Sequence, residues 1–407
     1  MVNTRGLAFL AILACAACMP ALPDAAGARP SVSNPASQSS GVCGTGSWRP
    51  GWLEIHHIDA GEGMATLIVS PVGRSMLVDA GEAEWDKAEG AKTVGAYVRE
   101  VLGCAQLDYL VASHFHVDHV GFPGYGGIWY LQQQGFVFGR LLHRDLYRYS
   151  GVGGATLDAW RAYLGSEGGR ALNPEIATVG AGQVELGGGV SFAFVAVDAN
   201  GALRAGNFAA DATPPDENDY SLAAVLRMGR LDYLTAGDLP GKTMVSQQGG
   251  YAYHDGETRA APLVKDIDVY RVSHHGSNYS SNATWLAELR PRVSIIQVGD
   301  GNQNGHPTQP TVDHLLALSA LYLTQHGEPG TNLRSAKVVG TVVLRTSTGI
   351  DYTVDGDAFV ASDPRRVDND GDGYFSEADP DDHAATAVPA LNGGCDGTYQ
   401  FCSATDP

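Results

Sequence analysis

The chain has 407 residues, 44% of them hydrophobic, enough to bury a large core in one big domain or two ordinary ones. Lys+Arg 26 against Asp+Glu 45 leaves a formal net charge of -19. Such a field repels nucleic acid, so nucleic acid is admitted only as a substrate of a local site. A charged fraction of 17% with 52 Gly and 20 Pro suggests a loop-rich secreted protein, and nothing after the N-terminal segment reads as a transmembrane helix.

The N-terminus reads as a signal peptide over 1–19. Arg5 supplies the positive end and Leu7 to Cys18 an apolar run too short to span a bilayer. Ile12-Leu13-Ala14-Cys15 has the form of a lipoprotein processing site, with Cys18 a second candidate; a plain signal peptide with incidental cysteines is the alternative. The expected destination is outside the cytoplasm: periplasmic, extracellular, or held at the cell surface by a lipid anchor. Residues 20–48, rich in Ala, Pro, Ser and Gly, read as a flexible linker. Removing the leader leaves Cys43, Cys104, Cys395 and Cys402, for which the expected pairs are Cys43–Cys104 and Cys395–Cys402. None has C-x-x-C spacing, so any catalytic metal must be held by His and Asp.

From residue 49 to 361 the texture is that of one α/β domain. Trp52 to Ile58 alternates like a strand, Asp59 to Gly63 is a turn, and Met64 to Val69 and Ser75 to Asp79 are further strands. Lys92 to Leu102 has apolar residues at helical spacing and stops at Gly103. Leu107 to Ala112 is a buried strand running into Ser113-His114-Phe115-His116-Val117-Asp118-His119. Three imidazoles and a carboxylate within six positions call for a metal; His114 and His116 can point the same way, while Asp118 and His119 can face a second ion. Tyr125–Tyr130 and Leu141–Tyr149 are aromatic stretches, read either as a pocket wall with Trp129, Tyr130, Arg144 and Arg148 in contact with substrate or as a packed surface helix. Val190 to Val197 is a strand, and Asn200 to Asn218 a long polar loop read as a lid.

The H-x-H-x-D-H pattern resembles the metallo-β-lactamase superfamily of binuclear metallohydrolases. Ile58-Asp59-Ala60-Gly61-Glu62-Gly63-Met64-Ala65-Thr66-Leu67-Ile68 is similar to the V-G-x-G-D-A-x-L segment of the hydrolase domain in bacterial competence DNA-uptake proteins. Met64 stands where that group has an acidic residue. Asn218 to Leu222 resembles its N-x-x-S-L strand, Gly237-Asp238 its G-D motif, Ser273-His274-His275-Gly276-Ser277 its S-H-H-G-S motif, and Asn304-Gly305-His306-Pro307 its N-x-x-H-P element. The resemblance implies an αββα sandwich holding two Zn²⁺, or Mn²⁺ or Fe in the same site. It implies a first metal on His114, His116 and Asp238, and a second on Asp118, His119, the bridging Asp238, and His274 or His275, with strand direction favouring His274. The only His between His119 and Asp238 is His143, too early to complete the first site, which leaves Asn218 or water. Asp79 is expected to orient the metal loop.

The implied reaction is attack of metal-activated hydroxide on an anionic phosphodiester or related ester, with Asp118, Asn218, His275 and His306 as catalytic residues and Arg271 as a local cation. The alternatives are a β-lactamase or other ester hydrolase of the same fold, or a catalytically weak, calcium-stabilised surface protein. Calcium enters through the acidic tail, 362–407. Asp368, Asp370, Asp372, the carbonyl of Tyr374, Ser376 and Asp379 have the spacing of an EF-hand-like Ca²⁺ loop, with Gly373 at the turn.

Overall fold

The computed structural model describes residues 46–81, 88–147, 154–198, 215–245, 250–362, 387–389 and 401–403. The signal peptide, most of the linker, Cys43, Cys395, the calcium residues Asp368 to Asp379, Arg148 and most of the Asn200–Asn218 loop lie outside them, and with them both expected disulfides. Among the described residues no helix is long and apolar enough to cross a membrane.

Alternating strands build two mixed sheets. One runs Asp357–Val360, Asp351–Val354, Val342–Thr346, Leu53–His57, Thr66–Val69, Ser75–Val78, Gln106–Ala112, Val137–His143, Pro174–Ile176. The other runs Lys337–Val338, Ala320–Leu323, Val293–Ile296, Val269–Arg271, Leu231–Thr235, Ala223–Met228, Val190–Ala196, Gly180–Gly187. Because side chains alternate across a strand, each sheet buries two faces. Leu53, Ile55, Ile68 and Met76 of the first meet Phe192, Leu226, Tyr233 and Ile295 of the second in a central core. The outer face of the first sheet, with Leu67, Leu77 and Leu110, is covered by Val94 and Val98 of helix Glu89–Leu102 and Trp160 of helix Ala155–Leu164. The outer face of the second, with Val225, Leu234 and Tyr270, is covered by Trp285 and Leu286 of helix Ala283–Leu289 and Val312 and Leu315 of helix Gln309–Leu318. Three apolar layers between four layers of secondary structure make an αββα sandwich, the fold class that the motifs imply.

Most sequence-read strands fall where expected, and the departures have local causes. The helix starts at Glu89, not Lys92, and closes at Gly103, whose left-handed φ of 73° lets its N–H reach the Arg99 carbonyl. The strand before the Ser273–Ser277 motif is short, Val269–Arg271, and ahead of it the Asp266 and Ile267 N–H groups donate to the carbonyls of Glu288 and Leu289. Leu141–Tyr149 is not helical at its start. Leu141–His143 ends the strand Val137–His143, paired in parallel with Gln106–Ala112.

Candidate metal centre

Four chemistry-bearing segments sit past the C-terminal ends of strands, where sheets of this kind leave a crevice, while Asn218 stands just before the start of strand Ala223–Met228. Ser75–Val78 delivers Asp79, Gln106–Ala112 delivers Ser113 to His119, Leu231–Thr235 delivers Gly237-Asp238, and Val269–Arg271 delivers Ser273 to Gly276. The His-rich stretch is not wholly loop. Val117–Val120 makes one helical turn, the N–H groups of His119 and Val120 donating to the His116 carbonyl.

Two donor groups converge. His114, His119 and Asp238 form one and Asp118, His119 and His275 the other, the donor atoms of each lying within 4.8 Å of one another. His119 Nε2 is 3.2 Å from Asp238 Oδ1, His114 Nε2 is 4.0 Å from Asp238 Oδ2, and His275 Nε2 is 3.2 Å from Asp118 Oδ2 and 3.9 Å from Asp238 Oδ2. His116 joins through its Nδ1, 3.1 Å from His114 Nε2. Asp238, a member of the first group, thus also comes within 3.9 Å of His275 of the second.

Of the two consecutive imidazoles, geometry brings His275, not His274, against Asp118. Both sit at positive φ, 55° and 51°, followed by Gly276 at 81°. A left-handed stretch of three turns the second ring, not the first, toward the metal loop, an arrangement strand alternation does not anticipate. Non-glycine residues in that region cost of order 1–3 kcal/mol each. His274 Nε2 instead lies 3.9 Å from Asp238 Oδ2 and 3.4 Å from Asn218 Nδ2. His306 stacks on His275 with ring centroids 6.0 Å apart, and its backbone is clamped by Asn302, which accepts from its N–H and donates to its carbonyl. The residue holding His306 is therefore Asn302, outside the expected Asn304-to-Pro307 element. His143, which donates to or accepts from nothing in the cluster, lies 2.6 Å from the Arg144 carbonyl through Nδ1.

The donors fit a divalent cation. His119 Nε2, Asp238 Oδ1 and His275 Nε2 are all buried without a hydrogen-bond partner, a cost that a shared ion removes. Electrostatics agree in direction. Burial opposes charge on His119, yet Asp238 and Asp79 beside it lift it to about 10. Burial also opposes charge on Asp118 and Asp238, but His275 and His119 around the former and His119 and His274 around the latter hold both carboxyls far below the usual range. The pocket strongly favours carboxylates beside positive charge. His306 is pushed down to about 3 by burial and by the neighbouring His274 and His275.

Asp79 supports the cluster from behind. Its Oδ1 accepts from Ser113 N at 2.8 Å, and its Oδ2 accepts from Ser113 Oγ at 2.7 Å and sits 2.9 Å from His119 Nδ1, fixing the ring that serves both groups. Asp79→Asn is expected to weaken metal affinity about 10–100-fold, measured by chelator competition; an unchanged affinity would show that ring orientation is secured elsewhere.

Two sequence readings, Arg144 and Arg271, need correction, and Trp129 follows the packed-helix alternative. Arg144 is no substrate contact: it is buried, its Nε donates to Glu217 Oε1 at 2.7 Å and its other guanidinium nitrogens reach Glu217 Oε2 and the Asp145 carbonyl. Trp129 is partly buried against the core under the helices. Arg271 is likewise inward, donating to the Gly237 carbonyl at 3.0 Å and to Gln297 Oε1 at 3.3 Å, so it braces the Asp238 turn and meets no substrate.

Two residues were missed. Glu217 accepts from Phe115 N at 3.0 Å and so holds the metal loop itself. Glu62, read as part of a turn and of the Ile58–Ile68 segment but given no role, has Oε1 buried without a hydrogen-bond partner while Oε2 accepts from Gly299 N at 2.9 Å. Burial raises its pKa, against the pull of His275. It restores an acidic group two positions before Met64. The signal available was Gly on both sides, Gly61-Glu62-Gly63, which lets a turn aim one side chain.

Fold and site together define an αββα sandwich with a candidate metal centre, a His/Asp cluster, at its strand ends. No family model matches the chain. It is 28% identical over 131 residues to ComE operon protein 3 of Bacillus subtilis, a match covering 31% of this chain and 15% of that protein. Among solved structures it is similar to CmlA, a diiron β-hydroxylase from Streptomyces venezuelae (14% identity, TM-score 0.39, 72% of this chain and 54% of that one). It is also similar to the MIM-2 metallo-β-lactamase (19% identity, TM-score 0.31, 53% of this chain and 69% of that one). The chain thus spans about half the length of the hydroxylase and a small fraction of the curated relative.

Proposed function

We propose that the protein is an exported metal-dependent hydrolase that cleaves a phosphodiester or a related anionic ester. The observation that carries this is the convergence of His119 Nε2, Asp238 Oδ1 and His275 Nε2, buried and without a hydrogen-bond partner, between two donor groups that share His119. His114, His116 and Asp238 would hold one ion and Asp118, His119, His275 and Asp238 the other, of the Zn²⁺, Mn²⁺ or Fe class. Ions held there supply water of lowered pKa and offset charge gathering on the ester oxygens.

The chain's own groups do the rest. Asp79 and Ser113 keep the His119 ring aimed, and Arg271 holds the Gly237 carbonyl so that Asp238 keeps its place. Asn218 Oδ1 and His306 Nδ1, both buried without partners, offer polar contacts to an ester bound over the cluster. An anionic diester suits the centre better than an amide, since it brings its own charge to paired dications. Export, a lipid anchor on Cys15 or Cys18, and calcium bound by the 362–407 tail belong to this proposal on sequence grounds.

The test is metal analysis of the purified protein followed by assays on bis(p-nitrophenyl) phosphate, nucleic acids, choline-phosphate esters and a cephalosporin. The expected result is diester turnover that a chelator abolishes and added Zn²⁺ or Mn²⁺ restores. Cephalosporin turnover in its place would move the assignment to a β-lactamase, and a protein that retains no metal would remove the hydrolase reading.

A further inference from the structure

Beside the metal cluster stands a row of aromatic rings with no part in holding ions. Tyr253 lies 6.3 Å from the His274 ring, edge-on at 72°. Tyr251 and Tyr279 each lie 5.4 Å from Tyr253, and Lys242 Nζ is 5.2 Å from the Tyr279 ring centre. Tyr253 is buried, Tyr251 and Tyr279 are half-buried and Lys242 is exposed, so the row leads from the histidines to solvent.

The backbone carrying it is tied to the site on both sides. The Asp216 N–H donates to the Ala252 carbonyl at 2.9 Å, and Asp219 accepts from the His254 N–H at 2.7 Å, which fastens Tyr251–Tyr253 to the turn bearing Asn218. On the other side Gly241 N–H donates to the Tyr279 carbonyl at 2.7 Å. The rings are therefore held in register with Asn218 and His274, not carried on a free loop.

We propose that this row is a binding wall for a flat ring on the non-leaving side of the substrate, so that the preferred esters are phosphodiesters carrying an aryl group or a nucleobase there. The inference rests on the hydrolase reading above. Tyrosine faces stack on flat rings, and Lys242 at the outer end meets the negative charge such a substrate carries. Local stacking also answers how an acidic protein would hold an anionic substrate that its overall field repels.

Three diesters with a common p-nitrophenolate leaving group test it: methyl p-nitrophenyl phosphate, bis(p-nitrophenyl) phosphate, and the p-nitrophenyl ester of thymidine 5′-monophosphate. In the full metal-loaded protein, Tyr279→Ala and Tyr251→Ala are expected to lower kcat/KM for a diester with a ring on its non-leaving side relative to the methyl diester by roughly tenfold, the scale of one lost stacking contact. Tyr279→Phe should keep the ratio, and circular dichroism confirms that each variant is folded. A fall confined to the thymidine ester makes the ring a nucleobase, and a fall for both makes it any aryl group; either supports the wall. Turnover of all three with ratios unmoved in both alanine variants overturns it and leaves the hydrolase reading standing. No turnover of any of them overturns that reading and the wall with it.

Discussion

Asp238→Asn is expected to reduce diester turnover by roughly a thousandfold or more, about 4 kcal/mol of lost transition-state stabilisation. Among the described residues, Asp238 is the one carboxylate within 4.0 Å of His114, His119, His274 and His275 at once. An amide keeps the shape but gives up the charge that, on the proposed function, would hold two cations beside four imidazoles. The effect has a readout independent of activity. Metal binding to the folded state alone raises stability by about 4 kcal/mol at a thousand times Kd, so the wild-type melting temperature should climb with added Zn²⁺ while that of the variant climbs far less. Equal Zn²⁺-dependent stabilisation of the two proteins would sink the bridging role.

Removing one side of the Arg144–Glu217 pair is expected to cost about 3–5 kcal/mol, enough to threaten folding, and to be measurable as a fall in the urea midpoint. Both side chains are withdrawn from water, 0% and 4% exposed, so neither can be rehydrated when its partner goes. Glu217→Ala orphans the Arg144 guanidinium and also releases the Phe115 N–H, so it should lower both stability and metal affinity. Arg144→Met leaves Glu217 on Phe115 without its counter-charge. The Arg144 guanidinium also lies 4.4 Å from the Tyr220 ring centre, a contact the apolar side chain can partly replace. Loss of less than about 1 kcal/mol in both variants would show that water reaches the pair.

The placement of these two residues shows where sequence reading stops. Arg144 lies in an aromatic stretch, which suggests a substrate wall. What decides its role is a carboxylate 73 positions later that folding brings to its Nε. Arg271 misleads for the same reason. Its partners, the Gly237 carbonyl and Gln297, are reached only when strands Leu231–Thr235, Val269–Arg271 and Val293–Ile296 lie side by side. Tyr251, Tyr253 and Tyr279 carry no spacing that marks them as one group, since the contact between Tyr253 and Tyr279 crosses from a strap to the loop after His275.

Local order was legible wherever chemistry and backbone period sit in the same few residues. The density of histidine in His114–His119, the strand patterns that precede Asp79, Asp118 and Asp238, and the ordered series of short motifs were enough for a sandwich with metal donors at its strand ends. The backbone decided the rest. Left-handed conformations at His274 and His275 choose which ring meets Asp118, and the turn at Gly61-Glu62-Gly63 brings an acid back where Met64 had removed one. Periodicity describes the direction of a side chain only while φ and ψ stay regular, whereas the residues that complete this centre stand where they do not.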